Sequence, residues 1–391
     1  MFSSRLPATL AQNALSRAVD ARRRSGVPLL DLTETNPTMA GVAYPADVLA
    51  PLADPFGARY APDPRGLMDA RAAIAASYAR DLSVSASADR IVLTASTSEA
   101  YAVIFKLLCD PGEAVLVPRP SYPLFDLLTR LEGVEARSYA LEYHGVWVID
   151  RASVDAAFGS DVRAVLVVSP NNPTGSMLRA DDREWLVTLC AKRGVAIISD
   201  EVFAGYPLAP RADACSLAGE TRALTFVLGG LSKSAGLPQV KLGWMLVDGP
   251  DALVAETLER LDLIADTYLS VSTPVQLAAG RLIESGHTIR AAILSRVRGN
   301  LDVLRGAVRA HPAITLREPE GGWSAVLEVP ATMGDEALVL KIVERAHVIV
   351  HPGYFFDFAG GAFLVVSLLP EPEMFRAALD RFLPIASGGG A

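Results

Sequence analysis

The feature that most constrains this chain is a succession of short, continuously apolar runs separated by helical patterns. From about Asp89 onward the runs are Ile91-Val92-Leu93, Ala114-Val115-Leu116-Val117 and residues 163–168, 195–199, 224–228 and 243–247. A strand that is apolar on both faces has to be covered on both faces, so such runs belong to the interior of a sheet. Helical segments such as 98–108 and 181–193 intervene. Alternation of this kind predicts an α/β fold, with a mostly parallel sheet flanked by helices.

The pattern changes after about Ser285. Residues 288–310 read as one long helix. Strand-like 313–317 and 324–329 follow, then a helix at 336–346, a strand at 363–367 and a closing helix. This sequence of elements predicts a smaller α+β domain. Residues 16–24 read as an amphipathic helix running into the strand-like Pro28-Leu29-Leu30-Asp31-Leu32, and this N-terminal segment is expected to pack with the smaller domain. The 391 residues, ample for two compact units, therefore divide into a large domain over 45–285 and a small domain made of 1–44 and 286–391. The low-complexity stretch Ser387-Gly388-Gly389-Gly390 is expected to fray.

Composition narrows the function. The formal net charge is −8, which argues against nucleic acid or an anionic membrane as a partner. Any phosphate or carboxylate has to be held by locally placed donors against that field. Cys109, Cys190 and Cys215 form no CxxC pair, which points to a reducing compartment and to three small hydrophobes rather than a disulfide or zinc framework. His144, His287, His311, His347 and His351 fall in no metal-ligand spacing, so no metal is expected. No apolar run approaches the roughly 18–20 residues needed to span a bilayer, and no secretory h-region opens the chain. The expected location is the cytoplasm.

The chemistry concentrates at the ends of the apolar runs. The segment Gly229-Gly230-Leu231-Ser232-Lys233-Ser234-Ala235-Gly236 follows one of them, and Lys241 lies eight residues beyond Lys233 in a chain with only five lysines. A lysine among small residues at a strand end can condense with a carbonyl once its pKa is lowered; it can equally be a solvated loop lysine. Ser169-Pro170-Asn171-Asn172-Pro173-Thr174-Gly175 reads as a stiff loop able to hold the Asn172 amide toward a ligand, or as an ordinary turn. Asp200 stands at the end of a buried strand, where ligands gather in open α/β sheets and where it needs a cationic partner; a helix N-cap is the plainer explanation. Ser96, Thr97 and Ser98 lead from a strand into a helix and can form an anion cradle or merely a cap. A lysine, an acid, a rigid amide and a phosphate cradle, all at strand ends of one sheet, reinforce one another.

With these motifs in order, the sequence resembles the class I/II aminotransferases, pyridoxal 5'-phosphate (PLP) enzymes of fold type I. The resemblance runs from Asp31-Leu32-Thr33-Glu34-Thr35-Asn36-Pro37 to the C-terminal helix, and its most specific matches are Asn172-Pro173-Thr174-Gly175, Asp200-Glu201 and Ser232-Lys233. It implies that Lys233 forms the internal aldimine, that Asp200 pairs with the pyridine nitrogen so the ring can act as an electron sink, and that Asn172 binds the ring 3-oxygen. Tyr122 looks like the aromatic that stacks on the ring. Ser96, Thr97, Ser98, Ser232 and Lys241 look like parts of the phosphate site. Tyr60 resembles the tyrosine that reaches a neighbouring subunit's phosphate, which implies a homodimer with shared active sites.

Three departures from the family pattern bear on function. Lys241 stands where an arginine is usual, keeping the charge without the bidentate fork. Phe203 stands where many relatives have a tyrosine that binds the ring oxygen, which is expected to raise the pKa of the internal aldimine. Most consequential, the arginine that usually holds the substrate α-carboxylate falls at about Val365, and neither Arg nor Lys occurs between Arg345 and Arg376. Either another group binds the carboxylate or the substrate lacks one there. Thr35, Asn36 and Ser272 are candidate polar contacts, with residues 270–274 lining the pocket. The expected activity is a PLP-dependent aminotransferase acting on an amino donor and a keto acceptor. A PLP-dependent lyase or decarboxylase is the alternative. A PLP-binding domain of a DNA-binding regulator lacks the necessary basic module, and a nicotinamide-binding fold lacks its GxGxxG.

Overall fold

The structure, a computed structural model, describes residues 2–209 and 214–388. Gly389 and Gly390 of the expected frayed tail lie outside the described residues. In chain order the strands are β1 (Leu30–Asp31), β2 (Ile91–Thr94), β3 (Ala114–Arg119), β4 (Glu135–Tyr143), β5 (Trp147–Ile149), β6 (Val162–Val168), β7 (Ala196–Asp200), β8 (Thr225–Gly230), β9 (Gly243–Asp248), β10 (Thr315–Arg317), β11 (Ser324–Glu328), β12 (Val348–Ile349), β13 (His351–Pro352) and β14 (Phe363–Ser367). The helices are α1 (Ala14–Arg24), α2 (Met68–Leu82), α3 (Thr97–Leu108), α4 (Phe125–Glu132), α5 (Arg151–Ala157), α6 (Ala180–Arg193), α7 (Leu231–Ser234), α8 (Asp251–Tyr268), α9 (Thr273–Arg309), α10 (Asp335–Arg345) and α11 (Pro372–Ala386).

The large sheet has eight strands in the order β2-β9-β8-β7-β6-β3-β4-β5. Strand β9 runs antiparallel to both its neighbours and β5 antiparallel to β4; the other strands share one direction. This is the mostly parallel α/β sheet that the apolar runs predict. Its central strands are mostly apolar because helices cover both faces: Val165, Val167 and Ile197 pack into one buried cluster, Leu166, Val168 and Ile198 into another. Each such side chain contributes about 1.5–3 kcal/mol on burial. The hairpin β4–β5 has no counterpart in the sequence reading, which looked for continuous apolar runs. It closes one edge of the sheet, and only Tyr139 of β4 is fully buried, so the strand carries no continuous apolar run.

The smaller sheet is antiparallel, in the order β10-β11-β14-β13. The N-terminal segment lies beside it in a separate two-stranded sheet. Strand β1 pairs in parallel with β12, and the Ser367 amide donates to the Leu32 carbonyl at 2.7 Å. Helix α9 is longer than the expected 288–310. It runs unbroken from Thr273 to Arg309, so the expected boundary near Ser285 falls inside it. Of the cysteines, Cys190 is buried, while Cys109 and Cys215 are half-buried. Among the described residues no group of three or more His, Cys, Asp or Glu is placed to hold a metal, and no helix is long and apolar enough to cross a membrane.

Candidate active site at the strand ends

Strand polarity gathers the singled-out segments at one edge of the large sheet. Strands β2, β3, β6, β7 and β8 all end there, and β9 begins there. Register fixes their spacing: Val168 pairs with Asp200, Asp200 with Leu228, and both Gly230 and Thr94 with Gly243. The edge opens on a cavity of about 350 Å³ lined by Thr35, Ser96, Thr97, Ser98, Tyr122, Asn172, Asp200, Ser232, Lys233 and Lys241, together with Phe203, Trp323 and Ser324.

Lys233 lies in the single-turn helix α7, directly after β8. Just upstream in β8, Gly229 makes room for the cross-strand Trp244, whose ring a Cβ there would approach within 2.6 Å. The Lys233 ammonium makes no hydrogen bond or ion pair among the described residues. It sits over the Trp323 ring at 4.7 Å and the Phe203 ring at 5.5 Å. Desolvation by this surround lowers its pKa from 10.5 to about 8, against the opposing charge of Asp200. The Tyr206 hydroxyl holds the backbone in place by donating to the Lys233 carbonyl at 2.6 Å.

Asp200 is buried. One carboxylate oxygen accepts from the Tyr101 hydroxyl at 2.8 Å and the other from the Val202 amide at 3.2 Å. Burial raises its pKa, with Tyr101, Val202 and Lys233 opposing. It is therefore a turn-bound acid facing a cavity, not the cap of a following helix. A cation bound in front of it would favour its ionised form and oppose that shift.

The loop after β6 divides the labour between two asparagines. Asn171 is buried; its amide donates to the Pro120 carbonyl at 3.0 Å and the Thr174 hydroxyl at 2.8 Å, and its oxygen accepts from Ser121 at 2.7 Å. That network frees Asn172 to line the cavity, where its oxygen accepts from the Ser324 hydroxyl at 3.3 Å. The Ser169-Pro170 and Asn172-Pro173 bonds are cis.

At the start of α3, Ser96 is the N-cap and accepts from the Glu99 amide at 3.2 Å, while the Glu99 carboxylate accepts from the Ala95 amide at 2.6 Å. This reciprocal cap takes up part of the expected cradle. Thr97 and Ser98 lie in the first turn, where amides have no intrahelical partner and the helix dipole favours an anion. Lys241 is exposed and held at φ 60°, the left-handed region that costs a non-glycine residue about 1–2 kcal/mol.

Three expected site residues lie outside this cavity. The Asn36 side chain closes its own loop, accepting from the Thr38 amide at 3.1 Å and hydroxyl at 2.8 Å. Ser272 is the exposed residue that begins α9. Tyr60 is 81% exposed and lines a separate groove with Tyr268, Ser270, Val271 and Thr273, so the 270–274 segment borders that groove instead. Conversely, Tyr101, Tyr206 and Trp323 serve the site without having been singled out. In the sequence each looks like a core aromatic. The one available signal is the pair Gly321-Gly322 before Trp323: a Cβ on Gly321 would come within 2.5 Å of Pro170, so glycine lets Trp323 lie beside the Asn172 loop.

Val365 is buried on β14, paired with Val326 of β11. The two pack with Phe356, and with Phe355, Phe358 and Phe363 around them.

Comparison with known proteins gives a consistent family. The family model for aminotransferase class I and II matches residues 51–382. Alanine aminotransferase of Mycobacterium tuberculosis (strain ATCC 25618 / H37Rv) is 26% identical over 367 residues, covering 91% of this chain and 85% of the relative. Glutamate-pyruvate aminotransferase AlaA of Haemophilus influenzae is 25% identical over 366 residues, covering 91% and 90%. Among solved structures, alanine aminotransferase from Pyrococcus furiosus has the same fold, with a TM-score of 0.89 at 24% identity over 99% of this chain and 100% of the other.

Proposed function

The chain belongs to the class I and II aminotransferases, a family dependent on pyridoxal 5'-phosphate, and on that premise we propose that Lys233 is the residue that holds the cofactor and moves the proton. The residues present fit such a group. The Lys233 amine makes no hydrogen bond or ion pair among the described residues, and burial lowers its pKa to about 8. Asp200 is a buried acid whose raised pKa asks for a cation, and Thr97 and Ser98 open a helix toward an anion.

When bound, the cofactor's protonated pyridine ring supplies a sink for the electrons released at the amine-bearing carbon. Asp200 would hold the proton on the ring nitrogen, and Asn172 would donate to the ring oxygen. Tyr122 would cover one face of the ring. The phosphate would be held by Thr97 and Ser98, by Ser96 and Ser232, and by the Lys241 ammonium. The Lys233 amine, released when the amino donor binds, would take the proton from the donor's carbon and return it on the cofactor side. Phe203 and Trp323 exclude water above it, which keeps that amine neutral and basic near pH 8. The observation that carries this reading is the unpaired, desolvated Lys233 amine beside Asp200 in one cavity.

The donor is an amino acid or a related amine and the acceptor a keto compound, with an atypical site for any substrate carboxylate, because no arginine is among the described residues that line the cavity. We further propose a cytoplasmic homodimer in which Tyr60, exposed in its own groove, completes the neighbouring subunit's phosphate site. Substituting Lys233→Ala should abolish the borohydride-reducible chromophore together with turnover; full activity in that variant would overturn the mechanism. Incubation with amines separates this reaction from lyase chemistry. Transamination accumulates the pyridoxamine spectrum without added keto acid, whereas elimination or decarboxylation releases ammonia or carbon dioxide without it.

A further inference from the structure

We propose that the preferred amine substrate carries no carboxylate on the reacting carbon: it is a primary amine with an uncharged, largely apolar substituent. The proposal rests on the reading of Lys233 as the cofactor-bearing residue. It starts from the charges that face the cavity. Among the described lining residues the cations are Lys233 and Lys241, and the anion is Asp200. In the loaded cavity Lys233 would be taken up by the cofactor, the protonated ring nitrogen and Lys241 would carry the positive charges, and Asp200 with a phosphate monoester of about −1.5 to −2 would offset them, so the described lining leaves no positive charge over. A substrate carboxylate would enter a field of its own sign.

The surrounding arginines are committed elsewhere. Arg119, beside the Tyr122 loop, pairs with Asp126 at 3.0 Å and Asp357 at 3.6 Å. Arg179 pairs with Glu320 at 3.3 Å. Arg296 donates to the carbonyls of Ala40 at 3.0 Å and Leu369 at 3.4 Å.

The wall beyond the cavity is apolar as well. Ser324 lines the cavity, and Ser324 pairs with Ser367 as Val326 pairs with Val365. Alternation along both strands puts Val326 and Val365 on the same face as Ser324. That face is closed by Phe356, whose carbonyl accepts from the Ser121 amide at 3.1 Å, next to cavity-lining Tyr122. Val365 is only 2% exposed, and the one ionisable group on this face, His351, pairs with Val365, packs on Phe355 and Phe356, and has its pKa lowered by burial, so the wall offers no fixed cation. Among the described residues the polar groups that remain are Thr35, Asn172 and Ser324, which are neutral, and the His351 imidazole, whose burial disfavours its charged form. A carboxylate desolvated against such a surround has no compensation for its lost hydration, whereas an alkyl or aryl group gains from the same surface.

The test uses matched pairs with the holoenzyme: L-leucine against 3-methylbutylamine, and L-phenylalanine against 2-phenylethylamine. Conversion to the pyridoxamine spectrum should be about tenfold or more faster in kcat/KM for the amines. Equal or faster conversion by the amino acids overturns the proposal. Calorimetry gives a second reading that needs no turnover: 3-methylbutanol should bind more tightly than 4-methyl-2-hydroxypentanoate, and the reverse order counts against it. In Val365→Arg the preference should swing toward the amino acids; should that variant not fold, the wild-type measurements decide alone. A holoenzyme that reduces with borohydride at Lys233 yet prefers amino acids refutes the substrate class alone. Failure to trap any cofactor on Lys233 refutes the underlying reading of the site.

Discussion

Lys233 owes its reactivity to what surrounds it rather than to any partner. The rings of Trp323 and Phe203 strip water from its amine and bring the pKa to about 8. The sign is that of a buried base: the lowered pKa populates the free amine at lower pH than an exposed lysine would, and the free amine is the nucleophile. The rate at which cofactor-free protein takes up pyridoxal 5'-phosphate should therefore rise with pH and level off above about 8, read from growth of the visible absorbance. A plateau reached only near the ordinary lysine value of 10.5 would contradict this account. Lys233, Asp200 and Asn172 could be picked out in the sequence because each follows a run of strand residues. Tyr101 could not: it sits among Ala100, Val103 and Ile104 on the buried face of α3, and only the folded chain turns its hydroxyl to Asp200.

At the scale of elements, one contact ties the active-site turn to the longest helix. A Cβ on Gly286 of α9 would lie 2.3 Å from the Ala235 Cβ and 2.9 Å from its Cα. Glycine normally costs a helix interior about 1 kcal/mol relative to alanine, so on propensity alone Gly286→Ala would stabilise. Here the clash prevails. Overpacking of this kind costs about 1–3 kcal/mol, and relief by moving α7 displaces Lys233. The variant should lose thermal stability and bind the cofactor more weakly, measured by melting and by equilibrium titration; a stabilised variant with unchanged affinity would rule the clash out. The boundary expected near Ser285 falls inside α9, which runs unbroken from Thr273 to Arg309. The β4–β5 hairpin escaped notice because a half-exposed edge strand carries no continuous apolar run.

At the scale of the whole molecule, the proposed assembly is testable by complementation. Lys233→Ala and Tyr60→Ala each damage a different half of a shared site. Random mixing of the two variants should give heterodimers with one intact site, about a quarter of the wild-type complement. No recovery after mixing and refolding would argue that each chain works alone. The fold class and the location of the site at one sheet edge were legible because strand polarity follows from the alternation of strands and helices. The identity of the substrate was not, because it depends on which side chains β11 and β14 turn toward the cavity, a matter of pairing between segments distant in sequence.

The fit between Gly286 and Ala235 has a mechanical consequence. Helix α9 spans about 55 Å, reaching from the Gly57–Pro274 contact to the smaller sheet. Its bare glycine seats against the lysine turn as a key seats in a slot. Sliding the helix by one residue, or rotating it by the corresponding 100°, would drive Ser285 or His287 into that slot. The shaft is therefore locked against both movements at this point. If the smaller sheet swings, the swing must either carry the lysine turn along with it or be absorbed in the length of helix beyond residue 286.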